Sequence, residues 1–265
     1  MPNIICEDYS DGLENISIPV VNDIDDEDLP KVDYRTSRFS DIPNIRILLE
    51  NLPSCPGCSC EDDCQKPELC KCQTLELWPD EFKKSFLNFR DGKNKEKDEK
   101  YFNSVYACNK SCKCSMKCSN RTIQQGLKFR LQIFKTGNSG WGVRTLTDLP
   151  KGSFITNYVG RIMTAEYLKN IINILAALKY SPEYIAQQNR YVLYLSEISS
   201  TKNKNIPPAH IFICDAMRSG NVARFFNHSC NPNLVAENVF MDHMDLRLPE
   251  LAFFAKRDIQ VGEVG

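Results

Sequence analysis

Apolar positions along this 265-residue chain change their rhythm twice. Through residues 1–54 they are scattered among acids, with Asp23, Asp25, Asp26, Glu27 and Asp28 close together. No stretch there is periodic for long enough to hold a buried face, which predicts either a disordered arm or an extended belt on the body. From Cys55 to Cys118 cysteines replace aliphatic residues, and the charged run 91–100 reads as a solvated loop that splits the segment in two. Beyond Leu127, short apolar runs bounded by turn residues predict strands at 129–134, 141–144, 154–159, 191–195, 211–214 and 251–254. One stretch departs from this. Leu168, Ile171, Ile172, Leu175 and Leu178 recur at helical spacing behind Thr164, a suitable cap, so a helix with an inward stripe is expected over 164–180. The fold class is mostly β with short helices (α+β), and no tandem repeat is present.

With 42% hydrophobic and 25% charged residues the chain can bury one sizeable core plus a smaller module, which excludes a disordered tail. No apolar leader opens it, and its longest apolar run, 171–178, is interrupted by Asn173 and is too short for a membrane span. An intracellular protein with no membrane partner is expected. The net charge of -1 conceals an imbalance: residues 1–33 carry ten acids against Lys31, which leaves the body with an excess of basic groups. Such an excess is compatible with a polyanionic setting and also with an ordinary solvated surface.

Thirteen cysteines in a chain without a secretory signal suit metal ligation better than disulfides. Nine fall into two groups: Cys58, Cys60, Cys64, Cys70 and Cys72, then Cys108, Cys112, Cys114 and Cys118. Nine thiolates do not divide into four-ligand sites. Three tetrahedral zinc ions need twelve ligand positions, and nine sulfurs supply them if three bridge two metals each. The close pairs 58/60, 70/72 and 112/114 suit that sharing; two separate four-cysteine sites with one spare thiol are the alternative. Lys66, Lys71, Lys110, Lys113 and Lys117 are candidates to offset the negative cluster. Cys6 and Cys55 fit neither group, and Cys214 sits in an apolar run that suggests core.

The five-plus-four cysteine pattern resembles the pre-SET module of histone-lysine methyltransferases. Four further motifs resemble their SET domain, in the same order: Gly140-Trp141-Gly142-Val143, Tyr158-Val159-Gly160, Arg224-Phe225-x-Asn227-His228-Ser229-Cys230-x-Pro232-Asn233 and Arg257-Asp258-Ile259-x-x-Gly262-Glu263. The likeness runs from about Tyr9 to the last residue. Within the family it is greatest to the euchromatic histone-lysine methyltransferases, on Glu14 to Asn22 in the arm and Val239 to Arg247 late in the domain. It implies an acidic arm at 1–54, a pre-SET zinc module at 55–119, and at 120–265 a SET β-fold with a knot-like C-terminal crossing. The implied enzyme transfers methyl groups from S-adenosyl-L-methionine to lysine 9 of the histone H3 tail, to the mono- and dimethyl states, in the nucleus on the chromosome. Tyr158 and Tyr191 would align the lysine; Ser139, Gly140, Trp141, Tyr191, Arg224, Asn227 and His228 would bind the cofactor; and the nine cysteines would hold three structural Zn2+ ions.

Three departures qualify this. Family members continue past Gly265 into a segment with a further active-site tyrosine and a post-SET segment with three cysteines, which would join Cys230 around a fourth zinc. A C-terminally truncated domain, weak or inactive alone, is therefore expected. Arg161 and Tyr194 stand where an acid is usual near the bound peptide. The stretch between Tyr158 and Asp215 is also long, much of it the predicted helix. A non-catalytic chromatin scaffold or dimer partner of a homologous methyltransferase is the competing reading. A zinc-dependent nucleic-acid binder is a third, disfavoured because no zinc-finger helix with histidine ligands is present, so specific direct DNA binding is not expected.

Overall fold

The acidic arm supplies strands and core residues to the body. This is seen in the computed structural model of the protein, which describes residues 2–74, 104–195, 207–243 and 245–264. Strand β1 (Ile4–Cys6) pairs antiparallel with β2 (Val20–Val21), which runs parallel to β5 (Leu131–Lys135), itself antiparallel to β6 (Trp141–Thr145). Ile18, Val20 and Val21 are fully buried and fasten the first part of the arm, Tyr34, Ile42 and Ile45 are buried further along, and the belt alternative is the observed one. Further along, β3 (Asp33–Tyr34) lies parallel to β11 (Ser219–Gly220). The charged run 91–100 and Gly265 lie outside the described residues.

Two more sheets complete the body. One has the order β4 (Ser104–Tyr106), β12 (Leu234–Phe240), β13 (Glu250–Ala255), β7 (Phe154–Asn157). The other places β10 (Phe212–Asp215) between β8 (Arg161–Thr164) and β9 (Val192–Tyr194). Each strand predicted from short apolar runs is present with ends shifted by a few residues, while β8, β11 and β12 in the same stretch were not anticipated. The arm also holds helix α1 (Pro43–Glu50), with Pro43 in its first turn.

The expected helix is α2 (Ala165–Ala177), with the Thr164 side chain accepting the Tyr167 N–H at 3.1 Å. Its stripe is not uniformly inward. Leu168 is buried and Ile171, Ile172 and Leu175 are half-buried, but Leu178 is 66% exposed. The reason is reach: α2 leans on β8, on the short helix α3 (Pro182–Gln187) and on the turn Pro208–His210, and its last turn extends beyond them. None of the described helices is long and apolar enough to cross a membrane.

Two apolar cores lie side by side. One gathers Ile18, Val20, Ile133, Trp141, Val143 and Phe225; the other gathers Tyr158, Ile162, Met163, Ile213 and Leu248, with Cys214 fully buried among them. Phe226 and Phe253 pack against both, so they mark the seam. At the C-terminal end, Thr145 exchanges backbone hydrogen bonds with Gly262 and Glu263, and Leu149 with Ile259, while Asn233 Nδ2 donates to the Val264 carbonyl at 2.7 Å. Segments far apart in sequence thus meet here, as the C-terminal crossing requires. The Arg257 guanidinium meets the Glu263 carboxylate through both terminal nitrogens and folds the intervening turn.

Candidate active site and zinc cluster

All nine grouped cysteines converge, eight of them buried and Cys60 half-buried. Cys64 Sγ lies 3.8 Å from Cys58, 3.5 Å from Cys70 and 3.7 Å from Cys108, and Cys72 lies 3.5 Å from Cys112. Tetrahedral zinc with bonds of about 2.3 Å sets its sulfurs about 3.8 Å apart, so these spacings match edges of such tetrahedra. Overlapping sets of four, Cys58/60/64/70, Cys58/70/72/108 and Cys58/64/108/114, share members, as bridging thiolates would. The donors around them suit thiolates too: the backbone N–H groups of Cys58 and Asn109 point at Cys112 Sγ, and Asn120 Nδ2 points at Cys108 Sγ. Gly57 lets the two groups meet, because a Cβ there would come 2.1 Å from the Ser111 carbonyl oxygen. The donor set fits zinc.

The cation nearest the cluster was missed in the sequence. All five candidate lysines are exposed, whereas Arg121 is 5% exposed and inserted among the thiolates. Its Nε donates to Cys114 Sγ at 3.3 Å, and Nη2 reaches the carbonyls of Asn109, Cys112 and Cys114. Only the planar five-donor fork of arginine can serve so many acceptors. We expect Arg121→Met to lower stability by about 3–5 kcal/mol and to speed zinc release to a chromophoric chelator. Arg121→Lys should restore little of either, and unchanged melting of the Met variant would refute the role. Cys55 is buried apart from the cluster core, with its N–H donating to the Asp242 carbonyl.

At the seam of the two cores lies a cavity of about 780 Å³. Ser139, Gly140, Trp141, Tyr158, Tyr191, Arg224, Asn227 and His228 all line it, so every residue expected to carry catalysis or cofactor binding is brought to one place. The loop before β6 presents Ser139 and Gly140, and the first residue of that strand is Trp141. Gly140 has φ +71°, where a side chain would be strained, and its carbonyl accepts from Thr136 N–H and Oγ1 to close the turn. Asn227 Nδ2 then donates to the Trp141 carbonyl at 3.1 Å, joining the two motifs.

Tyr158 is buried, and its hydroxyl donates to the Tyr191 carbonyl at 2.6 Å. Burial, with the neighbouring Cys214 and Asp215 charges adding to it, raises its pKa well above that of an ordinary phenol. It is a neutral hydroxyl, not a phenolate base. The Arg224 guanidinium stacks 4.4 Å over the Tyr191 ring, its Nε on the Ala216 carbonyl and Nη2 on that of Met217. Trp141 and Arg224 line the cavity, and among the described residues Trp141 Nε1 and Arg224 Nη1 are buried without a hydrogen-bond partner. Orphaned buried donors are uncommon, and two on residues that line one cavity suit a polar, amino-acid-like cofactor.

Other lining residues came from stretches the sequence reading did not nominate. Phe253 on β13 meets Phe226 edge to face at 4.9 Å and Tyr158 at 6.3 Å, making an apolar wall. Glu27 and Pro30 bring the arm to the opposite rim. Tyr194 lines the cavity and is 53% exposed, whereas Arg161 meets the Asp41 carboxylate. Cys230 is exposed, with Sγ 3.8 Å from His228 Nε2.

Comparison with known proteins bears on the family. Residues 140–263 match the SET domain and residues 10–121 the Pre-SET motif. The chain is 33% identical over 262 residues to histone-lysine N-methyltransferase EHMT1 of Homo sapiens, covering 98% of this chain and 18% of that protein. Among solved structures, KRYPTONITE in complex with mCHH DNA, H3(1-15) peptide and SAH superposes with a TM-score of 0.66 at 26% identity, over 99% of this chain and 47% of that one. The Neurospora SET domain protein DIM-5, a histone lysine methyltransferase, does so with 0.68 at 27% identity, over 94% and 93%. A cysteine cluster built for zinc and a cavity lined by the SET motifs therefore stand together in one chain, and that chain belongs to the SET-domain histone-lysine methyltransferases that carry a pre-SET motif.

Proposed function

We propose that this protein transfers methyl groups from S-adenosyl-L-methionine to lysine on the histone H3 tail, at lysine 9 and to the mono- and dimethyl states, on nuclear chromatin. The observation that carries the reading is the convergence on one cavity of eight residues expected from the resemblance, two of which, Trp141 and Arg224, keep a buried donor without a partner among the described residues. We assign the cofactor end to Ser139, Gly140, Trp141, Arg224, Asn227 and His228, and the lysine end to Tyr158 and Tyr191, with three zinc ions shared among the nine cysteines. When bound, the cofactor supplies the methyl group as an electrophile.

The chain's own residues have three tasks. Tyr158 donates its O–H in a hydrogen bond to the Tyr191 carbonyl, so the lone pairs of Oη are what it offers an incoming amine. An amine N–H held on that oxygen has its own lone pair turned away from it, which orients the nucleophile. Tyr191, fixed from behind by the Arg224 guanidinium, supplies the second ring of the channel. Phe226 and Phe253 keep water from the reacting nitrogen.

The test is methyl transfer by the zinc-loaded protein to an H3 tail peptide, read by mass spectrometry. The expected products carry one and then two methyl groups, and a peptide with arginine at position 9 gains none. Methylation of that control peptide would overturn the lysine 9 assignment. No transfer to any lysine by folded protein that binds the cofactor, whether alone or extended with the C-terminal segment of a relative, would overturn the reaction.

A further inference from the structure

We propose that residues 22–30 of the acidic arm form a wall of the cofactor end of the cavity, and that Asp25 and Glu27, acting through Lys135, are positioning residues for Trp141. This rests on the methyltransferase reading and goes beyond its motifs, since Asp25, Glu27, Pro30 and Lys135 lie outside them.

Lys135 is the starting point. Its side chain is 7% exposed on β5, and its ammonium lies 5.5 Å from the centroid of the Trp141 ring, 3.4 Å from Asp25 Oδ2 and against the Glu27 carboxylate. An ammonium removed from water is stable only where other charges and dipoles replace its hydration. Among the described residues, the acids that do so are these two from the arm, and the indole face supplies the rest. Removing the carboxylates would draw the lysine out to solvent and away from Trp141.

The carboxylates are set in place beforehand. Asn22, 3% exposed, accepts the N–H groups of Ile24 and Asp25 on its Oδ1 and donates from Nδ2 to Asp25 Oδ1 and the Glu27 carbonyl. Asp25 Oδ1 in turn accepts the Glu27 N–H at 3.0 Å. At the far end of the segment, Tyr9 donates its hydroxyl to the Pro30 carbonyl at 3.3 Å and sets its ring edge-on to Phe225 at 5.4 Å. Glu27 and Pro30 share the cavity lining with Ser139, Gly140, Trp141, Asn227 and His228. The loop is thus anchored at both ends, to Lys135 beside the Gly-Trp-Gly turn and to Phe225 beside Arg224. Tyr158 belongs to the other core, so the wall acts on the cofactor end.

The test uses the zinc-loaded full chain with Trp78→Phe as background, so that fluorescence reports Trp141 alone. Calorimetry with S-adenosylhomocysteine compares this protein with the added pair Asp25→Asn/Glu27→Gln and, separately, with Lys135→Met. Both variants are expected to bind about three- to tenfold more weakly, the range for a pair half open to solvent. KM for the cofactor should rise in step while KM for the peptide does not, and Trp141 emission should shift as its cation leaves. Both carboxylates are on the surface, at 43% and 56% exposure, so the double variant should keep its melting temperature within a few degrees. Unchanged affinity and emission in folded variants would overturn the proposal. Failure of the unmodified protein to bind S-adenosylhomocysteine would instead remove the methyltransferase reading on which it rests.

Discussion

Tyr158→Phe is expected to lower kcat by about a hundredfold or more, the scale on which loss of a positioning contact of this kind costs rate. The phenylalanine ring would still fill the space between Phe253 and the second core, so the channel wall remains. What disappears is the oxygen that receives the amine N–H, and with it the fixed direction of the nitrogen lone pair. The Tyr191 carbonyl loses its 2.6 Å donor but keeps the Ala216 N–H at 3.0 Å, so stability should fall only by about 0.5–1.5 kcal/mol. The measurement is single-turnover methylation of the H3 peptide at saturating cofactor, with affinity for S-adenosylhomocysteine as control. A kcat within a factor of about three of the parent would show that Tyr158 does not orient the nucleophile. Because the Tyr158 hydroxyl stays protonated well past the range of an ordinary phenol, the pH profile of the parent should carry no limb from it. A rise of rate with pH then reports loss of the substrate lysine's own proton.

The larger effect on the molecule as a whole comes from metal removal. Structural zinc contributes about 10–16 kcal/mol per ion in small modules, whereas a whole domain is stable by about 5–15 kcal/mol. Loss of the cluster therefore exceeds what the rest of residues 55–121 can supply. We expect Cys64→Ser, which removes the sulfur placed among Cys58, Cys70 and Cys108, to abolish stoichiometric zinc and leave this segment unfolded. Cys6→Ser, outside the cluster, should change neither. Elemental analysis with circular dichroism before and after chelation decides between them. A chain that keeps its full melting temperature without zinc would show that the sulfurs are only core.

Parts of this were legible in the sequence for definite physical reasons. Thiolate spacing is set by the metal, so the nine cysteines could be grouped before any fold was known. The capped helix behind Thr164 announced itself by period, and the cavity residues by motif. The arm was ambiguous because its buried aliphatic residues, Ile18, Val20, Val21, Ile42 and Ile45, are few and scattered, too sparse for a periodic signal. Strand β12 was hidden because most of its residues are only half-buried, so no clean alternation appears. Arg121 gave no local cue: it stands in a run with several lysines, and only the fold separates the cation that enters the cluster from those left in water. The exposed end of α2 was misjudged because helical spacing reports a face without reporting how far its neighbours extend.

The parallel pairings of the early strands bear on how the chain is made. β2 is matched with β5, β3 with β11 and β4 with β12, each across a hundred residues or more of intervening sequence. Segments synthesised first thus emerge from the ribosome without partners, and closure must await residues translated many seconds later. During that interval the cysteine segment is the part able to organise locally, provided zinc is at hand. Metal supply in the cell then governs how long the unpaired early strands stay open to the wrong neighbour, and so the yield of folded protein.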